Sequence, residues 1–507
     1  MDRFFEGRWH IFFLFLIIFF WGFLRFYKVS TIANFAYDQA RDTDKIRQII
    51  QEKKITLLGP STSISTGRTG YSTTYFGPIY YYLLIPFLWL AKFDPVGPIM
   101  FTAFLGILSI FLLYLIVERL TKDKRASLVA SFLYAISPAV IEYSRFIWNT
   151  NFIPFFALLL FMSLLNFKKD GSKNWSFASG FLCGVLTQLH FYTYFLTLFA
   201  IIFVLFLGRK KKPVMSLVVY SFGFILGIFP MIVFDLRHNF LNSRSIFFNL
   251  FHLSDYSNES FGFSLNNLVA VVNGIIVDFI GVKKSVLKLI LIMLVGSGTM
   301  LFLLDKKAKK RGGIIIFLLF WGLLSSSIFS RQGGVEKRFL LPLSPFIFIF
   351  LGLVFSQLSK KRITLILSAV LGGILVFFIF RNAIKKNFIT QPVSLGYCRE
   401  NASLIIKEAK REEQTGVKIN IANLADLDRR ATCFRYFVNL TDLNILGLEH
   451  YPDADILYVI DKKYGWDGIV NNTDTWEVYS FQPKVLLKVL DGTDGVKIYK
   501  IGKRKNG

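Results

Sequence analysis

Residues 11–48 read "IFFLFLIIFFWGFLRFYKVSTIANFAYDQARDTDKIRQ". The first part, 11–26, holds a single charge, Arg25. Residues 34–48 then hold three aspartates, two arginines and a lysine. A run of about 18 apolar residues crosses a hydrocarbon core of about 30 Å. The stretch therefore reads as a membrane helix that delivers a polar segment onto the bilayer surface. No small-residue cleavage site follows it, since "GFLRFYKVS" is bulky, so the helix reads as an uncleaved first span with its N-terminus inside.

The rest of the chain repeats this pattern. Of 507 residues, 53% are hydrophobic and 18% charged, and the mean hydropathy is +0.49. That is more apolar surface than a soluble core of this length needs, so the class is a polytopic helical membrane protein. The formal net charge of +26 does not point to nucleic acid, because of where the charge sits. The segments "ERLTKDKR" (118–125), "KKDGSK" (168–173), "RKKK" (209–212), "KKAKKR" (306–311) and "SKKR" (359–362) hold nineteen Lys and Arg. Short basic loops between spans mark the cytoplasmic side.

Hydropathy and loop charge together predict about eleven transmembrane helices, near 10–27, 97–118, 126–141, 150–167, two within 175–208, 213–234, 285–304, 314–329, 339–358 and 363–380. Long external loops cover 28–96 and 235–284. Within the first, "YFGPIYYYLLIPFLWLAKF" (75–93) is interrupted by Pro78 and Pro86 and suits a helix lying in the interface. Residues 262–281 look similar. The membrane domain is drawn as 1–380 and the tail as 381–507, the N-terminus cytoplasmic and the tail extracytoplasmic.

From Arg381 onward the chain is nearly balanced, with twenty basic and sixteen acidic residues. Apolar spacing predicts a helix over 401–413, strands over 416–423 and 454–461, and strands from 476 to 502 with a turn at "DGTDG". The tail thus reads as a small α/β domain. Cys398 and Cys433 lie in it, free to pair if it is external or to remain thiols. The chain's third cysteine, Cys183, lies in a span, and the three show no metal-binding spacing.

Charges are costly in hydrocarbon and so collect at edges, cavities and sites. The external ends of the expected spans carry Asp38, Arg41, Asp42, Arg68, Glu142, Arg145, Gln188, His190, Asp235, Arg237, His238, Glu336, Lys337 and Arg338. Asp38 and Asp42, at i and i+4, share a helix face with Arg41 beside them. They make either a base at the bilayer surface or a solvated amphipathic helix with Asp38 as its N-cap and Ile46, Ile49 and Ile50 as its apolar face. Arg145 in "SRFIWNTN" (144–151) is a phosphate ligand or a snorkelling side chain beside Trp148. Lys337 and Arg338 in "EKRFLLPLSP" (336–345) pose the same choice. His190 in "TQLHFYTY" is a packing histidine or a ligand.

The order of these features resembles the family 39-type integral-membrane glycosyltransferases of the GT-C fold. That group includes the protein O-mannosyltransferases and the lipid A aminoarabinose transferase. The resemblance covers roughly residues 10–380 and is carried by "YDQARD", "GPIYYYLLIPFLWLAKF" with the following span, "SPAVIEYSRFIWNTN" and "KRFLLPLSPFIFIFLGL". It implies a GT-C-like membrane domain and a polyprenyl-phosphate-linked sugar as donor. A lipid, glycan or protein would be the acceptor, and transfer would take place outside the cytoplasm, usually with inversion. By motif, Asp38 is the base or acceptor-orienting acid, with Asp42 in support. Arg145, Arg338, Lys337 and Arg41 are candidates for the donor phosphate. Tyr80, Tyr81, Trp148, Asn149, Gln188 and His190 are candidate substrate contacts. The usual Asp-Glu pair is Asp38–Gln39 here, and the frequent histidine before Pro-Leu is Phe76. No metal ligand is assigned, and a divalent metal stays open.

Two other classes fit a polytopic chain. A transporter or flippase of a lipid-linked sugar would carry charges near mid-membrane, whereas these sit at span ends. A non-enzymatic scaffold would use the external tail to bind a partner.

Overall fold

The computed structural model describes residues 8–62, 74–207, 213–251, 264–328, 336–389, 391–413, 417–443 and 445–503. Arg68 and the basic run at 209–212 lie outside them. The chain divides into two compact units: 1–27, 55–84 and 99–388 in the first, and 28–54, 85–98 and 389–507 in the second.

The first unit is helical. Among the described residues six helices are long and apolar enough to cross a membrane, or seven if the bent pair Pro213–Gly227 and Phe229–Arg237 is one span. By length and apolarity the count is thus six or seven rather than eleven. The remaining expected spans coincide with shorter or broken helices. Lys124–Ile136 stops at Ser137, which caps the short helix Pro138–Tyr143 and donates to the Phe279 carbonyl at 2.6 Å. Residues 173–207 break at His190, between Lys173–Leu189 and Tyr194–Ile202. Ser344–Leu358 is a buried fifteen-residue helix. The basic segments expected as loops are largely helix ends. Lys306–Ile328 begins within "KKAKKR", capped by Asp305, which accepts from the Lys307 and Ala308 amides. Asp123 and Ser172 cap the helices after the first two basic segments in the same way, each cap satisfying amides that have no intrahelical partner.

The tightest packing in this unit is between Lys173–Leu189 and Pro213–Gly227, which meet through Gly180, Gly184, Gly223 and Gly227. A Cβ at Gly180 would lie 1.9 Å from the Tyr220 carbonyl oxygen. Backbones this close exclude any side chain, the small-xxx-small arrangement of membrane helices.

The second unit centres on a four-stranded sheet of order β1-β2-β4-β3: Ile419–Asn423, Ile456–Asp461, Lys497–Gly502 and, at the edge, Val485–Asp491. β1 and β2 are parallel, and the other pairings are antiparallel. β1 and β2 are buried along their whole length, including the polar Asn420, Asn423 and Asp461. The expected turn at "DGTDG" joins β3 to β4. Trp476–Tyr479, expected as strand, is a helical turn packed on the core of Leu457, Val459, Val478, Phe481 and Tyr499. Leu395–Glu413 is the expected helix, with an earlier start than 401, and Cys398 and Cys433 form a disulfide. The helix Tyr37–Glu52, from the first long loop, belongs to this unit and packs on Thr432–Val438.

Candidate functional site

The acidic helix Tyr37–Glu52 begins after Ala36, whose side chain makes no cap. Asp38 is therefore a first-turn residue, not the N-cap. A carboxylate there interacts favourably with the positive end of the helix dipole. Ala40, Asp42, Thr43, Ile46 and Ile49 form the buried face. Asp42 is fully buried, whereas the Asp38 side chain is 40% exposed. Arg41 joins them: its Nη1 lies 3.0 Å from Asp38 Oδ1, and its Nε and Nη2 donate to Asp42 Oδ1 at 2.9 and 2.8 Å. The guanidinium also lies over the Tyr37 ring. The arrangement is an accessible carboxylate oriented by an arginine that is itself fixed on a buried carboxylate. Lys45 is exposed, as expected, but Asp44 is half-buried and paired with Arg47 at 2.8 Å and Gln48 at 2.9 Å, and neither enters the group.

In the first unit, four charges from four separate segments converge. Glu142 ends the helix Pro138–Tyr143, and Lys386 lies in the last turn of Arg362–Asn387. Asp278 lies in the turn 275–279, and Lys337 opens a 3-10 turn. Lys386 Nζ is 2.6 Å from Glu142 Oε2 and 3.9 Å from Asp278 Oδ1. Lys337 Nζ is 3.5 Å from Asp278 Oδ1 and 3.9 Å from Glu142 Oε2. Burial works against the charge on Lys337, but Glu142 and Asp278 outweigh it and hold its pKa above the ordinary lysine value. Each side chain is roughly one-third exposed, so the cluster is open to solvent. The sequence reading did not single out Asp278 or Lys386 as site residues. Their signal was a charge at the end of an apolar run, the same signal that exposed Glu142.

Arg338, next to Lys337, pairs with Glu336 and lies over the Trp148 ring at 5.1 Å and the Phe339 ring at 5.0 Å. Phe339 stacks on Tyr192 at 3.9 Å and faces His190 at 5.9 Å. Phe76 lies 4.9 Å from His190 on another side. His190 Nδ1 accepts from the Tyr192 amide. Burial, with Arg338 nearby, pushes this imidazole down to about 3, so it is neutral at physiological pH. The group is an aromatic wall with one guanidinium laid on it.

The other candidates hold the scaffold. Arg145 closes the first helix, donating to the carbonyls of Leu24 and Tyr27, with its guanidinium 4.9 Å from the centre of the Phe388 ring. Burial lowers its pKa to about 10, which still leaves it charged. The Gln188 side chain accepts from the Ile79 amide and donates to the Gly227 carbonyl, while the Gln188 backbone carbonyl accepts from the Gly77 amide. Asn149 donates to the Leu189 carbonyl at 2.6 Å. Tyr80 and Tyr81 are buried, Tyr80 against Phe152. Among the described residues no three of His, Cys, Asp and Glu lie together as a metal's donor set.

The structure of ArnT from Cupriavidus metallidurans, bound to undecaprenyl phosphate, aligns with a TM-score of 0.58 at 10% identity, over 97% of this chain and 98% of that one. The chain has the GT-C fold. The archaeal oligosaccharyltransferase AglB from Archaeoglobus fulgidus, in complex with an inhibitory peptide and a dolichol-phosphate, aligns with a TM-score of 0.51 at 14% identity. That alignment covers 81% of this chain and 59% of AglB, so the chain spans about three-fifths of the oligosaccharyltransferase. The dolichyl-phosphate-mannose-protein mannosyltransferase family model matches residues 76–234. No curated protein sequence matches the chain. In fold and in that segment the chain resembles the protein O-mannosyltransferases and ArnT, as its motifs imply.

Proposed function

We propose that this chain is a membrane glycosyltransferase. It moves a monosaccharide from a polyprenyl-phosphate carrier to an acceptor on the extracytoplasmic side, with inversion at the sugar carbon. The observation that carries this reading is the exposed Asp38 carboxylate, oriented by Arg41 on buried Asp42, in a chain that aligns with ArnT over nearly its whole length. ArnT was solved with undecaprenyl phosphate and AglB with a dolichol-phosphate. External placement is supported by the Cys398–Cys433 disulfide, which suits an oxidising compartment, and by the basic segments on the opposite side of the expected topology.

In the proposed step the acceptor hydroxyl gives its proton to Asp38 and its oxygen attacks the anomeric carbon. The bond from that carbon to the carrier phosphate breaks, and its electron pair leaves on the phosphate oxygen. A base assists the nucleophile, and fixed cations stabilise the departing charge. Within the helical unit, Lys337, Arg338 and Lys386 are the candidate ligands of a carrier phosphate. Arg145, whose terminal nitrogens are committed to carbonyls, contributes its charge rather than new hydrogen bonds. Trp148, Tyr192 and Phe339 offer ring faces to the sugar or the isoprenoid. Asp38 acts as a base rather than as one of two carboxylates flanking the bond, as a hydrolase would have.

The test is incubation of the purified protein with polyprenyl-phosphate mannose, glucose and N-acetylglucosamine, following release of polyprenyl phosphate and appearance of a glycosylated product. Consumption of one donor supports the proposal. Neither binding nor consumption of any carrier would overturn it.

A further inference from the structure

We infer that the C-terminal domain is the mount that positions Asp38, with Phe35, Tyr436 and the Cys398–Cys433 disulfide as its positioning residues. This rests on the proposed role of Asp38.

Phe35 precedes Asp38 by three residues. Its amide donates to the Val393 carbonyl at 3.0 Å, and the Leu395 amide donates to the Ala33 carbonyl at 2.8 Å. Asn34 and Ser394 complete an antiparallel bridge. The Phe35 ring is fully buried, 5.6 Å from Tyr436 and 5.9 Å from Phe437. Those two rings belong to Thr432–Val438, the helix on which the acidic helix packs. At Cys433 that helix is joined covalently to Cys398, in the first turn of Leu395–Glu413. The chain therefore closes a ring: from the bridge at 33–35, through the aromatic contacts to Tyr436, across the disulfide, and back to the bridge at 393–395. Gly396 lets the two segments approach, since a Cβ there would lie 2.9 Å from the Thr31 carbonyl oxygen. The same unit holds residues 85–98 through Arg399, whose Nη2 donates to both Asp94 carboxylate oxygens, and the bond from the Tyr436 hydroxyl to the Phe93 carbonyl.

Phe35, Cys398, Cys433 and Tyr436 are all buried, while the Asp38 side chain is left 40% exposed. The ring fixes the backbone that carries the carboxylate and leaves the carboxylate open. A base held loosely by about 1 Å loses much of its rate advantage. The mount is complete only once the disulfide has formed, which ties positioning to an oxidising compartment.

The experiment uses the full chain in nanodiscs: oxidised, reduced and re-oxidised wild type, C398S/C433S, Phe35→Ala, Phe35→Leu and Asp38→Asn. Amide exchange over 37–46 is read against exchange over β2, and kcat and KM are measured with polyprenyl-phosphate mannose. Reduction, C398S/C433S and Phe35→Ala should speed exchange over 37–46 at least tenfold with β2 unchanged. They should lower kcat about tenfold with KM within twofold. Re-oxidation restores the reduced wild type, and Phe35→Leu recovers part of the Phe35→Ala loss. Unchanged exchange over 37–46, or equal acceleration in β2, overturns the mount. Asp38→Asn leaves exchange unchanged. If it also leaves turnover unchanged, the role of Asp38 fails while the exchange data still decide whether the mount exists.

Discussion

Arg41 donates two hydrogen bonds, at 2.9 and 2.8 Å, to a single oxygen of the buried Asp42 carboxylate. This fixes the guanidinium, and the remaining nitrogen reaches Asp38 at 3.0 Å. The two acids at i and i+4 are therefore unequal. One is structural and buried, and the other is presented to solvent. Arg41, a candidate phosphate ligand by sequence, is here committed to the aspartates.

Asp42→Asn removes the charge that holds Arg41. Hydrogen bonds to charged groups are worth about 1.5–3 kcal/mol, so the variant should lose about 2 kcal/mol of stability. Thermal unfolding of the detergent-solubilised protein measures this. Asp38→Asn, at an exposed position, should unfold within about 0.5 kcal/mol of wild type.

Gln188 joins three segments of the helical unit through Gly77, Ile79 and Gly227. Gln188→Leu strands a buried amide and a carbonyl, each costing about 1–3 kcal/mol. Gly77→Ala would place its Cβ 2.4 Å from the Gln188 side chain and should destabilise comparably. Both should lower the melting temperature. Gln188→Glu, which keeps the acceptor for Ile79, should lower it less.

Glu408 accepts from Lys488 at 2.8 Å and from Lys500 at 3.0 Å. The bond from Lys488, with that from Lys500, holds its pKa below the ordinary glutamate value despite burial. A depressed carboxylate pKa contributes stability that is present above the unfolded value, near 4.5, and lost as pH falls through the folded value. The β-sheet unit should therefore weaken below about pH 4.5, and Glu408→Gln should flatten that part of the profile. Amide exchange over β4 as a function of pH is the measurement.

Lys337 and Lys386 are each shared between Glu142 and Asp278. Under the proposed function a carrier phosphate would compete with those carboxylates for the same ammonium groups. Glu142→Gln should tighten binding of undecaprenyl phosphate several-fold, and Lys386→Met should weaken it about tenfold, the worth of one charge-assisted hydrogen bond. Titration of a fluorescent undecaprenyl phosphate reads both, and added salt should reduce the difference.

Local signals carried far in this chain. The buried strands β1 and β2, the helix before them and the turn "DGTDG" follow from apolar spacing and turn chemistry. The break at His190 follows from a polar residue in an apolar stretch. What depends on long-range partners was not legible. Asp42 is buried and Asp38 is not because of what packs on the helix, and an i,i+4 pair alone does not say which acid faces inward. Tyr80 and Tyr81 read as candidate substrate contacts on an interfacial helix, but both side chains are buried. Lys386 meets Glu142 across 244 residues, a distance no spacing rule spans. The Gly180–Gly184 and Gly223–Gly227 pairs, which explain why those helices meet, were not read from the sequence, because spaced glycines do not say which helix they pack on.

The most direct test of the central claim is single-turnover transfer from a polyprenyl-phosphate sugar by the wild type and by Asp38→Asn, with carrier binding measured on the same samples. Removing a general base costs about 10²–10⁴-fold. The account predicts that Asp38→Asn binds the carrier within threefold of wild type and transfers at least about a hundredfold more slowly. Transfer by Asp38→Asn within about threefold of the wild-type rate, a difference of under 1 kcal/mol, would contradict it.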